Sequence, residues 1–337
     1  MADTLKLPGF VNAHSHAFQR ALRGRVEGRD FWAWRETMLE LARGQTPPRV
    51  REEYAAVYDE MRQAGYTAVG EFHYLGLAEA RAAAEAAVEA GVELVLLYVA
   101  YARGGLERFR QPSPAEYLRQ VEELRASGLR VGLAPHSVRA CPREWLDELG
   151  RYAAAHELLL HVHADEQPRE IEECVREHGL RPIELLAACG CLGPRTTVVH
   201  ATHADGHELD LLGEACARVC ACPTTEANLA DGFLPVERLL HRTIGLCIGS
   251  DSNVRIDPLE ELRELDGIAR RQAGRRDVLT VDALLSIGSD EGAAALGLED
   301  WPPLEIDLLH PQLRGVEEPL CALVAGCSAD VVVGAPR

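Results

Sequence analysis

The first residues that could do chemistry are two histidines, His14 and His16, at the end of the apolar stretch 8–13. Residues two apart in a β-strand point to the same face of the sheet. Both imidazoles can therefore reach one metal ion from the end of one strand. Two nearby histidines also occur without any metal, so the pair needs support from the rest of the sequence.

Further histidines and acidic residues stand at the ends of later apolar runs. His163 ends one such run, and Glu166 follows it by three residues. His200 and Asp251 end two others, in the contexts Val-Val-His and Gly-Ser-Asp. His161 lies two residues deeper than His163, and we expect it to pack inside the fold rather than to bind a ligand.

Four of these side chains could form one metal site. His14, His16 and His163 offer three neutral nitrogens, and Asp251 offers an oxygen. This donor set suits Zn²⁺ or a similar divalent ion, with one position left open for water. Such an ion lowers the pKa of water towards neutrality, which makes hydroxide available for hydrolysis.

Three residues are candidates for catalytic roles beside that metal. Asp251 has a second candidate role, in which it accepts the proton of the attacking water. His200 could polarise a substrate or stabilise developing negative charge. Glu166, over the mouth of the fold, is placed to carry a proton to a leaving nitrogen.

The segments that position these residues alternate between short apolar runs and longer helical patterns. Eight runs are predicted as strands, each followed by a helix, which indicates an α/β fold of the (β/α)₈ TIM-barrel type. An open doubly wound sheet is the alternative, but no glycine-rich phosphate loop follows the first run. Barrel active sites form at the C-terminal ends of the strands, where the candidate residues would meet. The predicted strands are residues 7–14, 66–72, 92–100, 129–135, 158–163, 196–200, 219–223 and 244–250.

Composition and net charge limit the binding partners and the cellular compartment that we expect. A net charge of -18 over 337 residues argues against a nucleic-acid or anionic-membrane partner. We see neither a secretory signal nor an apolar run of about 18 residues that could span a membrane. With ten cysteines and no such signal, we expect reduced, mostly buried thiols and a cytoplasmic location. An anionic substrate would need local positive charge.

The motifs in combination resemble the amidohydrolase superfamily, from residue 8 to about residue 298. His-x-His at 14–16, His-x-x-Glu at 163–166, His200 and Gly-Ser-Asp at 249–251 carry the resemblance. Its two-metal members usually bridge their ions with a carboxylated lysine on the fourth strand. Lys6 is the only lysine here and precedes the first strand. The resemblance therefore implies one divalent ion per chain, with Zn²⁺ expected, and a sixth-strand His200 that assists rather than ligates.

Four stretches narrow the resemblance to the N-formimidoyl-L-glutamate deiminase family: residues 14–21 (HSHAFQRA), 31–36 (FWAWRE), 65–74 (GYTAVGEFHY) and 223–229 (PTTEANL). Enzymes of that family hydrolyse a formimino group in histidine degradation, giving N-formyl-L-glutamate and ammonia. The substrate is a dicarboxylate, and guanidinium forks pair with carboxylates in bidentate fashion. The resemblance implies that Gln19, Arg35, Tyr74, His136 and Arg139 contact the substrate.

The resemblance also sets expectations for domain organisation. Family members carry a small β-sandwich built from both chain ends, whereas the first strand here is predicted within the first ten residues. We expect a catalytic barrel over residues 1–298 and a tail over residues 299–337. The sandwich should be reduced or absent, with one extra strand at residues 329–333. The segment between residues 24 and 31 is short for the family. A homodimer is one possible oligomeric state.

Two other functions compete with a deiminase. One is an aminohydrolase of a neutral ring such as a purine, pterin or triazine, whose pocket would favour aromatic and amide contacts over two arginines. The other is a catalytically dead barrel used for binding or assembly. Dead relatives typically lose metal ligands, and here each predicted ligand and proton carrier is present.

Overall fold

The computed structural model describes residues 4–28 and 30–333, and its centre is a barrel of eight parallel strands. The strands lie side by side in chain order, and the first and last meet at a bridge between Ser15 and Asp251. They are almost entirely buried, as is typical of a parallel sheet covered by helices. The predicted (β/α)₈ class is confirmed. Before the barrel comes β1 (Thr4–Pro8), and the barrel strands are β2 (Phe10–Ser15), β3 (Tyr66–His73), β4 (Glu93–Ala100), β5 (Val131–Pro135), β6 (Leu160–Ala164), β7 (Thr196–His200), β8 (Arg218–Ala221) and β9 (Gly245–Ile248).

Helices cover the outside of the barrel, and local sequence signals set their ends. The helix Pro114–Ala126 begins after Ser113, whose hydroxyl accepts the backbone N–H of Glu116. The helix Leu77–Ala90 ends at Gly91, where φ is 70°. The helices are α1 (Phe31–Arg43), α2 (Pro47–Gln63), α3 (Leu77–Ala90), α4 (Pro114–Ala126), α5 (Arg143–His156), α6 (Pro168–His178), α7 (Pro182–Ala188), α8 (Gly206–Glu214), α9 (Pro223–Leu229), α10 (Val236–Leu240), α11 (Pro258–Ala273), α12 (Val281–Gly288), α13 (Asp290–Ala295) and α14 (Pro319–Gly326).

A buried polar network joins the first and last barrel strands. Asn12 of β2 donates to Ser250 Oγ at 2.6 Å and accepts the Ser250 backbone N–H at 3.0 Å. Ser250 Oγ in turn donates to Asn253 Oδ1 at 2.6 Å, and Asn253 Nδ2 donates to Ser15 Oγ at 3.1 Å. Because these groups satisfy one another away from water, they fix the register in which β9 meets β2.

Both ends of the described chain meet in a second, three-stranded antiparallel sheet. It contains β1, β10 (Pro303–Asp307) and β11 (Val332–Val333), with β10 in the middle. The extra strand predicted at residues 329–333 is only partly a strand, because residues Ala329–Val331 form a 3₁₀ turn. Strand β10 was not predicted. Because β1 lies before residue 298 and its partner β10 lies after it, this sheet joins the two predicted parts of the chain. The division of the chain at residue 298 stays a prediction.

One helix and one strand differ from the sequence prediction. The apolar pattern over residues 281–296 predicts a single helix, but the structure interrupts it at Ser289, where φ and ψ are -130° and -82°. The seventh predicted strand ends two residues early, because Pro223 already begins helix α9. Proline is favoured at the first helical position, and its fixed φ suits a helix start there.

Eight of the ten cysteines are buried, and all ten are free; Cys216 and Cys321 are exposed. The expectation that the thiols are mostly buried is therefore confirmed. Within the described part of the chain, none of the helices has both the length and the apolar character needed to cross a bilayer.

Candidate active site

Three histidine nitrogens and one carboxylate oxygen converge at the C-terminal rim of the barrel. His14 Nε2 lies 3.2 Å from His16 Nε2 and 3.0 Å from His163 Nε2. Asp251 Oδ1 lies 3.5 Å from His14 Nε2 and 3.2 Å from His16 Nε2. The four ligand atoms all lie within 4.8 Å of one another, and the four residues are buried. The four predicted metal ligands thus form one cluster.

Hydrogen bonds on the far side of two rings fix which nitrogen faces the cluster. His16 Nδ1 lies 3.1 Å from the Phe72 carbonyl oxygen, and His163 Nδ1 lies 3.0 Å from that of His136. A carbonyl oxygen only accepts, so each Nδ1 carries a hydrogen and, in a neutral ring, Nε2 is the nitrogen that presents a lone pair. Burial lowers the pKa of His14 to about 3 and that of His163 well below its usual value, so both rings are neutral. Lone pairs that face a carboxylate need a cation between them, and the donor set fits a divalent metal ion.

The backbone of the segment after β9 holds Asp251 against the two histidines of the first motif. Its N–H donates to the His14 carbonyl oxygen at 3.0 Å, and its carbonyl accepts the N–H of His16 at 2.8 Å. A Cβ at Gly249 would lie 2.7 Å from the His14 carbonyl oxygen, so glycine is what allows this close approach. Asp251 and His200 have left-handed backbone, with φ of 46° and 73°. Residues other than glycine adopt it mainly where their surroundings enforce it, often at functional sites.

His200 lies beside the cluster and faces three carboxylates. Its Nδ1 is 3.3 Å from Glu226 Oε1, and its Nε2 is 3.9 Å from both Glu166 Oε1 and Asp251 Oδ2. Burial lowers the pKa of His200, but the hydrogen bond to Glu226 and the charges of Glu166 and Asp251 outweigh it and raise the pKa to about 10. A positive imidazole at this position can stabilise negative charge that develops on a substrate.

Glu166, the predicted proton carrier, is held from two sides. Its Oε2 accepts from Arg139 Nη2 at 3.2 Å, and its backbone N–H donates to Glu170 Oε2 at 3.1 Å. Glu170 is buried in the first turn of α6, and its Oε1 lies 3.6 Å from Arg139 Nε. The arginine predicted to bind substrate therefore also orients the proton carrier.

A cavity of about 240 Å³ lies over the cluster. The metal-ligand candidates His16, His163 and Asp251 line it together with Glu166 and His200. All five predicted substrate contacts line the same cavity, namely Gln19, Arg35, Tyr74, His136 and Arg139.

Polar and aromatic groups shape the wall of this cavity. Gln19 Nε2 donates to Tyr74 Oη at 2.9 Å. The ring of Tyr101 lies 4.7 Å from that of His136, centroid to centroid. Burial raises the pKa of Tyr101, while the charges of Arg35 and Arg139 both oppose that rise, so the two guanidiniums share one region of the cavity.

Sequence reasoning missed several residues that the structure places at the site. Glu226 partners His200, although its stretch, 223–229, was noted only for its resemblance. Glu170 is the third residue of α6, a position from which a glutamate often reaches back to the preceding backbone. Tyr101 belongs to no sequence motif, so no sequence signal marked it. As expected, His161 packs inside the barrel, with Nε2 2.9 Å from the carbonyl oxygen of Ala295.

A parallel barrel with three histidines, one aspartate and acid–base groups at the C-terminal rim defines the class of metal-dependent hydrolases. The Amidohydrolase family model matches residues 5–301. The chain belongs to this family, whose members depend on a metal, and it is a hydrolase acting on C–N bonds. The expected resemblance is confirmed.

Relatives of known activity differ in substrate. Formimidoylglutamate deiminase from Pseudomonas aeruginosa is 35% identical, over 97% of this chain and 75% of that protein. The 5-methylthioadenosine/S-adenosylhomocysteine deaminase of Haloarcula marismortui is 30% identical, over 88% of this chain and 70% of that protein. The solved structure of an adenosine deaminase from Xanthomonas campestris with bound zinc superposes with a TM-score of 0.90 at 24% identity, over 98% of this chain and 78% of that chain. One sequence relative is a deiminase and the other a deaminase, so the choice of substrate must be argued from the cavity.

Proposed function

We propose that the enzyme hydrolyses N-formimidoyl-L-glutamate to N-formyl-L-glutamate and ammonia, a step of histidine degradation. The observation that carries the proposal is the presence of Arg35 and Arg139 in the same cavity as a metal-binding cluster. Since the chain has a net charge of -18, two guanidiniums in one cavity favour an anionic substrate. The 35% identity to a formimidoylglutamate deiminase supports this choice.

The proposal includes one Zn²⁺ ion per chain, held by His14, His16, His163 and Asp251. Imidazole nitrogens and a carboxylate oxygen are ligand types that zinc prefers. Lys6 is the only lysine, and it lies in β1, so no lysine can bridge a second ion on the fourth barrel strand. When bound, the ion supplies the Lewis acidity that lowers the pKa of water towards 7.

Two residues would move the protons of the reaction, and a third would stabilise charge. Asp251 Oδ2 faces His200 rather than the histidine cluster, so it can accept a proton from the attacking water. His200 Nε2 would stabilise the charge that develops on the substrate. Glu166 lies between Arg139 and His200, and it would carry a proton to the nitrogen that leaves as ammonia.

The remaining polar side chains of the cavity would recognise a dicarboxylate. Arg35 and Arg139 would each pair with one carboxylate, and the linked side chains of Gln19 and Tyr74 would orient the substrate between them. Burial and the charge of Arg139 lower the pKa of His136 well below its usual value, so it would act as a neutral hydrogen-bonding group.

Arginine substitutions test the substrate class. Arg35→Lys and Arg139→Lys keep the charge but lose the planar fork, so kcat/KM for N-formimidoyl-L-glutamate should fall. Arg→Met at either position should be worse, because losing a charged hydrogen-bond partner costs roughly 1.5–3 kcal/mol, or about ten- to hundred-fold. Full activity in all four variants would rule out recognition of the dicarboxylate by these arginines.

A neutral-ring aminohydrolase is the second candidate. It is favoured by the aromatic groups that line the cavity, among them Trp34, Tyr74 and Tyr101, and by the similarity to deaminases of adenosine-type compounds. Such an enzyme should be insensitive to the Arg→Lys exchanges, since a neutral ring offers no carboxylate to either guanidinium.

The proposal extends to partners and location. The partner would be a small-molecule dicarboxylate rather than a nucleic acid or a membrane, because the net charge of -18 repels polyanions. A cytoplasmic location suits a chain with ten free cysteines. A homodimer stays a proposal, to be tested by light scattering of the purified protein.

A further inference from the structure

Arg103, in the loop after β4, holds the turn after β5 that carries Arg139. Its Nε donates to the Arg139 carbonyl oxygen at 3.0 Å, and its Nη2 donates to that of Val138 at 3.3 Å. The backbone N–H groups of Ala102 and Arg103 both donate to the Ala140 carbonyl oxygen at 3.0 Å. Three successive carbonyl oxygens of the turn therefore accept hydrogen bonds from two neighbouring residues of the loop.

Glu177, near the end of α6, fixes the orientation of the Arg103 guanidinium. Its Oε1 accepts from Arg103 Nη1 at 2.7 Å, and its Oε2 accepts from Nη2 at 2.9 Å. Two such hydrogen bonds align the planar groups, so Nε stays directed at the turn. Glu166 and Glu170, which contact the Arg139 side chain, lie just before α6 and in its first turn. The turn is therefore tied to both ends of α6.

Arg103 and Arg139 both line the cavity, but their guanidiniums are engaged differently. Each of the three guanidinium nitrogens of Arg103 already donates to a carbonyl or carboxylate oxygen of the protein. The Arg139 guanidinium pairs with Glu166, one of the residues to which we assign proton transfer. A displacement of roughly 1 Å in a group that holds the substrate can cost about 10²-fold in rate. The backbone position of Arg139, which Arg103 holds, therefore matters as well as its charge.

We propose that Arg103 is a positioning residue that holds Arg139 in place to bind a substrate carboxylate, and that Glu177 orients Arg103 for this role. The assignment rests on the proposed function, since it needs a substrate whose carboxylate pairs with Arg139. Arg103 acts through Arg139 rather than on the substrate, because its own nitrogens are already engaged by the protein.

Substitution of Arg103 should weaken substrate binding. In Arg103→Met the turn loses its side-chain donors, so kcat/KM of the zinc-loaded enzyme for N-formimidoyl-L-glutamate should fall about tenfold. Most of the loss should be a higher KM, because Glu166 keeps its backbone hydrogen bond to Glu170. Arg103→Lys keeps the charge without the planar fork and should recover only part of the loss. Wild-type kinetic constants in Arg103→Met would overturn the proposal.

Glu177→Gln tests the partner of Arg103. An amide accepts through one oxygen instead of two, so kcat/KM should fall, but less than in Arg103→Met. Adding Glu177→Gln to Arg103→Met should cause no further loss, and a clearly worse double variant would exclude the role of Glu177. The control is Arg119→Met, because Arg119 makes the same two-bond contact with Glu116 on the surface of α4. This variant should stay within about twofold of the wild type.

A double-mutant cycle decides whether Arg103 acts through Arg139. In an Arg139→Met background no guanidinium remains to be positioned, so adding Arg103→Met should change kcat/KM by less than about twofold. A residue that only stabilises the fold would keep its full effect in that background. A further tenfold loss in the double variant would therefore refute the assignment.

Arg108→Met is the control for this cycle. Arg108 lies in the same loop and also donates to backbone carbonyl oxygens, those of Gln45 at 2.8 Å and Leu75 at 3.0 Å. Neither belongs to the turn that carries Arg139, so the effect of this exchange should be the same in both backgrounds to within about twofold. If an effect of Arg108→Met also disappears in the Arg139→Met background, the cycle does not single out Arg103 and the assignment fails.

Hydrogen–deuterium exchange follows the turn without any substrate. The N–H groups of Ala140 and Cys141 donate to the Ser137 carbonyl oxygen at 3.1 and 3.0 Å. Both should exchange faster in Arg103→Met than in the wild type, whereas Arg119→Met should leave them unchanged. Unchanged exchange in Arg103→Met would show that Arg103 does not hold the turn and would overturn the proposal. If the wild type releases no ammonia from N-formimidoyl-L-glutamate, the proposed function fails, while the exchange rates still decide whether Arg103 holds the turn.

Discussion

Single side chains at this site serve more than one group. Arg139 pairs with Glu166 and lies near Glu170, while it also lines the cavity that would receive a substrate carboxylate. Asp251 similarly faces the histidine cluster with one oxygen and His200 with the other. Because these contacts are shared, one substitution can affect metal binding, proton transfer and substrate binding together. The three effects should be separable only with substitutions that remove a single property of a side chain, such as its charge or one hydrogen-bonding atom.

Substituting the proton carrier Glu166 or the charge-stabilising His200 should leave the metal in place. Glu166→Gln and His200→Asn are close in size to the wild-type residues, and neither residue belongs to the four-ligand cluster. We expect normal zinc content and a kcat reduced by about 10²–10⁴-fold, the usual contribution of acid–base groups. Elemental analysis and steady-state rates measure both quantities. Turnover near that of the wild type would remove the substituted residue from the mechanism.

Glu170 should act through Glu166 rather than on the substrate. Glu170→Ala removes the acceptor of the Glu166 backbone N–H, so kcat should fall about tenfold or more with unchanged zinc content. Glu170→Gln keeps an acceptor oxygen but removes a charge beside Arg139, so it should recover part of kcat and lower KM for the dicarboxylate.

The control for Glu170 is Glu172→Gln, an exposed residue of the same helix. It should match the wild type in kcat and KM. If Glu170→Ala matches the wild type in kcat, the assignment of Glu170 as a positioning residue is wrong.

At the scale of secondary structure, the strands and the helices were predictable to different degrees. The clustering of His14, His163 and Asp251 could be predicted from sequence because each ends or follows an apolar run that becomes a buried strand, and barrel sites form at strand ends. The contact between His200 and Glu226 could not be predicted from sequence, because it depends on α9. This helix of seven residues starts where a strand was expected to end. Strand β10 pairs with β1 across almost the whole sequence, and no local pattern reports such a contact.

The junction of β2 and β9 should control both stability and metal binding. Asn12→Ala removes the side chain that bonds to Ser250 twice and leaves buried polar groups without partners. The free energy of unfolding should fall by about 1–3 kcal/mol. Zinc affinity should fall as well, since Asp251 follows Ser250 directly. Urea denaturation at fixed zinc and a zinc-binding titration measure the two effects.

Asn228→Ala is the matched control for Asn12. Asn228 is exposed and makes one surface hydrogen bond to Glu27, so its loss should change the free energy of unfolding by no more than about 0.5 kcal/mol. Equal stability of the two variants would show that the network does not hold the barrel closed.

For the molecule as a whole, we expect folding and metal binding to be coupled. The cluster draws buried side chains from the end of β2, from β6 and from the segment after β9, so an ion held there would tie together distant parts of the chain. Chelation should therefore lower the midpoint temperature of unfolding, because binding at 100 times Kd stabilises a protein by about 2.7 kcal/mol. Scanning calorimetry with and without chelator measures this, and His163→Ala should respond much less. Identical midpoints for wild type with and without chelator would contradict a tightly held ion.

The net charge of the whole molecule leads to the most direct test of the proposed dicarboxylate substrate. A protein of net charge -18 repels dianions unless its cavity supplies positive charge, and Arg35 and Arg139 are the cavity arginines to which we assign that role. The decisive measurement is kcat/KM of the zinc-loaded wild type for ammonia release from N-formimidoyl-L-glutamate, from N-formimidoylglycine and from a panel of purines, pterins and triazines. We predict that the dicarboxylate has the highest kcat/KM and that the monocarboxylate, which leaves one arginine unpaired, is roughly ten- to hundred-fold poorer. A higher kcat/KM for any neutral ring would contradict the deiminase assignment and favour the aminohydrolase.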